Sequence, residues 1–246
     1  MSDLSTIEVR GPDGAPPGPP VNGKNAAPLV DGNGKPGEAS KDGKTCLKPA
    51  TNGHPGNSGG DAPDAVHGAR GDNVNAVTMK VARFTGAGLT VTVSGGNGGN
   101  GVSGGKGGVG GTGGDAGKQP PACAKKYAET VGGTGGRGGD GGTAGNGGDA
   151  GSGGVASLLW DEALGPNFST SLTSSAGKPG DPGDAGDPGA PGLGGLNGDG
   201  MTRAPSGPPA GGGGPGQFGG QGQSGSGTSA SVKDPADQVQ LIVVPL

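Results

Sequence analysis

Residues 95–113 read GGNGGNGVSGGKGGVGGTG, with glycine at every third position from Gly95 to Gly113. The same period holds without a break through 133–154 (GTGGRGGDGGTAGNGGDAGSGG) and 177–198 (GKPGDPGDAGDPGAPGLGGLNG). A period of three is that of the polyproline II helix, which makes no hydrogen bonds to itself. Its backbone N–H and C=O groups must be met from outside, by water or by a neighbouring stretch of chain. A face of glycine lets a second backbone approach to hydrogen-bonding distance, and that is the physical use of the repeat. At about 3.1 Å per residue such runs reach roughly 70 Å. Matched lengths joined by compact connectors predict one chain folded back on itself. The expected fold is a single-chain bundle of antiparallel polyglycine II (PPII-like) helices with short β-hairpin or turn connectors. Doubled glycines, as in GGNGGNG, leave two faces bare for neighbours on both sides. The Gly-X-Pro run from Gly177 leaves one bare face and is expected on the outside.

Working outward, the whole chain reads as one glycine-rich unit, 1–246. Less regular runs fill 1–72, where small residues keep register from Gly53 through Gly56, Gly59, Ala62, Ala65, Gly68 and Gly71. The main glycine runs are 95–117, 132–154, 177–200 and 207–227. Between them, 73–94 carries Val77, Met79 and Val81, then Leu89, Val91 and Val93, each alternating with polar or small residues. That period of two predicts a hairpin connector. Residues 155–176 fit either a second hairpin or a short helical cap, and 118–131 fit a shorter turn. Short apolar strands are expected at the ends, within 4–9 and 239–245. A collagen-like trimer fits the pattern less well, because the chain turns after each run and Gly-Gly triplets lack pre-organising imino acids.

Composition limits what can hold such a chain together. Glycine (66) and proline (23) together make 89 of 246 residues, while hydrophobic residues make 27% and aromatics 2%. That is too little apolar matter for an ordinary core in a chain of this length. The net charge, 17 − 21 = −4, comes from interspersed signs and leaves no basic stripe, so a nucleic-acid partner is not expected. No apolar run approaches about 18 residues, so no membrane span is expected. The N-terminal stretch MSDLSTIEVRG lacks the basic and apolar regions of a secretory signal. A cytoplasmically made protein that leaves by lysis, by a dedicated system or within a larger particle is the expectation.

If 73–94 caps one end, the runs on either side of it bring the loops holding Cys46 and Cys123 to the opposite end. A disulfide between them is the expectation in an oxidising compartment, against two buried free thiols. Other motifs have simpler explanations. GNSGGD at Gly56–Asp61, with His54 nearby, matches a protease nucleophile loop only by composition, since no base and acid are held near the serine. Arg70-Gly71-Asp72 falls in the small-residue register. Asp181, Asp184 and Asp187 stand roughly 9 Å apart, too far to share a cation. His54 and His67 have no metal-ligand spacing to cysteine. No catalytic, cofactor or metal constellation is found, so an enzyme is not expected.

The strings GGNGGNG, GGKGGVGGTGGDAG and GGTGGRGGDGGTAGNGGDAG resemble two families, over about half the chain. One is the springtail antifreeze proteins, small bundles of antiparallel polyglycine II helices. The other is the tip adhesins of T-even-like phage long tail fibres, whose end loops contact the host surface. Ice binding implies a flat, mostly uncharged face, whereas the outward positions here mix Asn97, Asn100, Ser103, Lys106, Val109, Thr112 and Asp115 with Arg137, Asp140 and Asp149. The adhesin likeness implies a non-enzymatic scaffold at a virion or extracellular surface, binding a cell-surface receptor through its connectors. Candidate contacts are Lys126 and Tyr127 at one end, and Trp160, Phe168 and Phe84 at the other. The alternative is a self-assembling filament or matrix subunit joined by its terminal strands, with neighbouring subunits as partners.

Overall fold

The computed structural model describes residues 4–81, 88–161, 164, 169–232 and 242–243. The strands are β1 (Leu4–Arg10), β2 (Glu38–Ala39), β3 (Cys46–Lys48), β4 (Ala76–Val81), β5 (Gly88–Ser94), β6 (Val155–Asp161), β7 (Ser169–Ser175), β8 (Gly227–Val232) and β9 (Ile242–Val243). Among the described residues one short α-helix, α1 (Pro121–Ala124), follows Pro120. Sheet order is β1-β5-β7 in one sheet, β8-β6-β4-β9 in a second, and a small β2-β3 ribbon. Every pair in the two larger sheets is parallel except β4 with β9.

These pairings correct the expected fold class. The regular secondary structure is strand, mostly in parallel sheets, and no bundle of helices stands among the described residues. The connectors are not hairpins either. β4 and β5, read as two arms of one hairpin, belong to different sheets, and so do β6 and β7 in 155–176. The physical reason is that alternation fixes which face of a strand is apolar and leaves the partner open. The two terminal strands do not meet: β1 pairs β5, while β9 pairs β4.

What selects parallel partners is the chain that each strand continues. In the first half of the chain, Gly14, Gly23 and Ala26 donate N–H to Asn97, Lys106 and Val109, in parallel register. Gly98, Gly101 and Gly104 donate in the same way to Lys178, Asp181 and Asp184. Segments 11–37, 95–117 and 177–196 therefore form one parallel layer, and they continue β1, β5 and β7. Segments 51–74, 131–154 and 205–226 form a second layer, through bonds such as Gly56 to Thr134 and Gly147 to Gln217. They lead into β4, β6 and β8. The two layers run antiparallel to each other, with Gly99 donating to Ala69 and Gly148 donating to Gly99. Both large sheets consequently lie at the same end.

There the sheets face each other and supply the hydrophobic core that composition alone made doubtful. Val77, Met79 and Val81 of β4, Leu89, Val91 and Val93 of β5, and Ala156 and Leu158 of β6 are buried together. Val9, Trp160, Leu164 and Leu172 pack against them half-buried. Burying these side chains contributes about 2 kcal/mol each, enough to anchor one end.

Rungs, ends and a groove as candidate functional surfaces

An outward Asn, Asp or Ser and the Gly or Ala that follows it together make two bonds with one residue of the next run. Lys178 donates its N–H to Asn97 Oδ1 at 2.9 Å, and its carbonyl accepts from Gly98 N–H at 2.8 Å. Asn100 and Gly101 hold Asp181 in the same way, as Asn22 and Gly23 hold Lys106. In the second layer Asn52 holds Val131, Asp61 holds Asp140, and Asn146 holds Gln217. His67 Nδ1 takes the Asn146 N–H at 2.8 Å. Together with the bond between layers, a complete rung meets all three N–H groups of a triplet, as buried and half-buried backbone requires.

These rungs give most outward Asn, Asp and Ser residues a structural task that sequence reading missed. Asn97, Asn100 and Ser103 read from the sequence only as outward positions, yet each caps a neighbouring backbone. The signal was present as a recurring Asn/Asp/Ser followed by Gly or Ala, an arrangement suited to bonding backbone locally. Asp140 shows the electrostatic side. The Gly211 N–H bonded to it at 2.7 Å, and then the Arg137 guanidinium, hold its carboxyl below the usual aspartate value. Arg137 also approaches Asp61 at 4.0 Å.

The sequence-predicted contact residues are distributed between the two ends. Lys126 and Tyr127 follow α1, with the Lys126 ammonium 5.7 Å from the centre of the Tyr127 ring and Tyr127 40% exposed. Close by, Cys46 of β3 and Cys123 of α1 form a disulfide, Cα–Cα 4.7 Å, with Cys123 fully buried. Trp160 lies at the opposite end, in β6, half-buried against the core. Phe84 and Phe168 lie outside the described residues. Sequence reading passed over Phe218, an aromatic within a glycine run that stands 71% exposed. Among the described residues no group of three or more His, Cys, Asp or Glu could hold a metal. Nor is any helix among the described residues long and apolar enough to cross a membrane.

A groove opens on the first layer where segment 11–37 leaves its neighbour. Ala26 bonds Val109, but the next rung joins Gly34 to Asp115, so eight residues span what six span opposite. The extra residues bulge outward through Asp31, at φ 53°. The resulting groove of about 930 Å³ is floored by Gly110–Gly114 and flanked by Leu29, Asp31 and Lys35.

No protein-family model matches the chain, and no curated protein matches it. Among solved structures it is weakly similar to one described as the nine polyproline type II helical bundle springtail antifreeze protein from Granisotoma rainieri. That likeness has 20% identity, covers 82% of this chain and 94% of the other, and has a TM-score of 0.11, too low to support an argument about fold or role.

Proposed function

We propose that this chain is a non-enzymatic structural and recognition protein, a rigid glycine-rich scaffold whose end loops bind a surface receptor in the manner of a fibre-tip adhesin. The carrying observation is a division of labour along the chain. Outward Asn, Asp and Ser side chains of the interior runs are engaged in rungs, while chemically varied and exposed groups such as Lys126 and Tyr127 stand at an end. Exposed aromatic and cationic groups on rigid supports are common anchors of recognition. The disulfide beside them fits an oxidising location, extracellular or on a virion. Fluorescently labelled protein incubated with panels of intact cells tests the reading. Saturable binding that the Lys126→Ala/Tyr127→Ala double variant abolishes is the expected result, and no saturable binding to any surface overturns it.

A filament subunit is the second reading, favoured by one feature. Among the described residues β1 forms the edge of its sheet with no further strand beside it. Such an edge can pair with another subunit. Electron microscopy of concentrated protein separates the two: continuous filaments favour the second reading and discrete particles the first.

A further inference from the structure

We propose that the groove over Gly110–Gly114 is a binding site for a sugar bearing an acetamido group, of the N-acetylhexosamine class. It lies on the side of the first layer, so it stands apart from the end-loop reading and does not depend on it. The inference starts from one skipped rung. On segment 95–117, Asn97, Lys106, Val109 and Asp115 each offer their N–H and C=O to segment 11–37. Asn100 and Ser103 instead stand in register with Pro16, Pro17, Pro19 and Pro20, which supply neither the acceptor nor the N–H. Thr112 is in the same register, but the bulge carries the opposing chain away. Among the described residues, neither its N–H nor its C=O has a partner.

The vacant position asks for specific chemistry. At the four filled rungs an Asn or Asp side-chain oxygen and the following Gly or Ala N–H occupy it, one acceptor and one donor. A secondary amide presents that same pair, with C=O to the Thr112 N–H and N–H to the Thr112 C=O. Val109 and Asp115, on either side, are already satisfied by Asn25 with Ala26 and by Asn33 with Gly34. A polypeptide strand needs consecutive open rungs, and within the groove, between the satisfied rungs at Val109 and Asp115, only that of Thr112 is open. A ligand with an isolated amide fits instead.

The walls suit a sugar around that amide. Ala26, Pro28 and the half-buried Leu29 give apolar surface for an acetyl methyl and a ring face, while Asp31 and Lys35 offer polar contacts to hydroxyls. The bulge is also held in place before any ligand arrives. Its start is fixed by Asn57 Nδ2 donating to the Ala27 carbonyl at 3.0 Å. Its end is fixed by His54 N–H to Gly32 O at 2.9 Å and Lys35 N–H to Thr51 Oγ1 at 2.8 Å. A preformed concave site of this size, with few convergent polar groups, is the usual form of a small-ligand pocket.

The test is amide-resolved NMR titration of the whole chain with di-N-acetylchitobiose. Cellobiose, which lacks the acetamido groups, and N-acetylalanine methylamide serve as comparison probes. Saturable shifts confined to Gly110–Gly114 and the 26–35 bulge are expected with chitobiose and not with cellobiose. The variant Thr112→Pro removes the one N–H at a position where segment 11–37 itself carries prolines. It is expected to melt like the wild type and to bind at least about tenfold more weakly. Equal shifts with cellobiose, no shifts at all, or unweakened binding by a folded Thr112→Pro protein overturn the proposal. Stronger shifts with the peptide amide than with chitobiose overturn the sugar assignment.

Discussion

At the scale of single residues, the glycines facing another layer are fixed by distance. A Cβ at Gly107 would stand 2.0 Å from the Gly139 carbonyl oxygen, far inside contact. The chain itself records what an added methyl does. Where Ala62 and Ala65 occupy the glycine register, the neighbouring bond from Val102 to Val66 stretches to 3.2 Å, and the Gly105 N–H makes none to the facing run. Gly107→Ala should therefore destabilise by about 1–3 kcal/mol, the usual effect of overpacking. Guanidinium unfolding measures it, and a loss under about 0.5 kcal/mol would mean that the layers yield freely. Charge adds a second residue-level expectation. Asp140 is held below the ordinary aspartate value by the Gly211 N–H and by Arg137, so the unfolded chain takes up the proton first on acidification. The contribution of Asp140 is then complete above the unfolded value near about 3.9 and lost as pH falls through the lower native one. Melting temperature should drop below about pH 4, and less steeply in Asp140→Asn, which keeps an acceptor for Gly211. An identical acid profile for the two proteins would refute this role.

At the scale of elements, the two ends are built on different principles. One end is a sandwich of parallel sheets around Val77, Val91, Val93 and Leu158. The other has little apolar matter and instead ties the β2-β3 ribbon to α1 through Cys46–Cys123, across 77 residues of sequence. Closing a loop of that length stabilises by about 4 kcal/mol in the chain-entropy account. Reduction, or Cys46→Ser with Cys123→Ser, should lower the melting temperature and speed hydrogen exchange across 38–48 and 121–124. Exchange in β4, β5 and β6 should change little under native conditions. Uniform loss of protection along the chain would show that the ends are not separately stabilised.

The same elements show how far the sequence is legible. The period of three marks where chains approach closely, because the Gly95–Gly113 register coincides with the bonded positions. Alternation correctly marks 76–81 and 88–94 as strands with apolar faces at Val77, Met79, Val81 and at Leu89, Val91, Val93. Partnership is hidden. β5 pairs with β1 and β7, more than 80 residues away in each direction, because it inherits the neighbours of its glycine run, and no local pattern records that. The rungs are hidden for a related reason. Asn97 reveals its role only once residue 178 is known to lie beside it. The groove is hidden most deeply, since it arises from a two-residue mismatch between segments.

At the scale of the whole molecule, the question is why a layer with open backbone at its edges should stop at three runs. Proline answers it at the far edge of the first layer. By the register of the interior runs, the outward N–H donors of segment 177–196 fall at 179, 182, 185, 188 and 191, and four of these are Pro179, Pro182, Pro188 and Pro191. Proline has no N–H to give. At the opposite edge Pro16 and Pro19 take positions where segment 95–117 carries donors. Natural sheets guard their edges in the same way. Asp181, Asp184 and Asp187 remain as carboxylate acceptors along the blocked edge, adding repulsion between like edges. The wild-type chain should therefore sediment as a single species. Replacing the four edge prolines by glycine restores the missing donors beside those acceptors, and should give concentration-dependent association by analytical ultracentrifugation. Glycine also raises the entropy of the unfolded chain, so a melting measurement on the same variant separates loss of folding from gain of assembly. A folded variant that stays monomeric would mean that the layer is limited by something other than its edge donors.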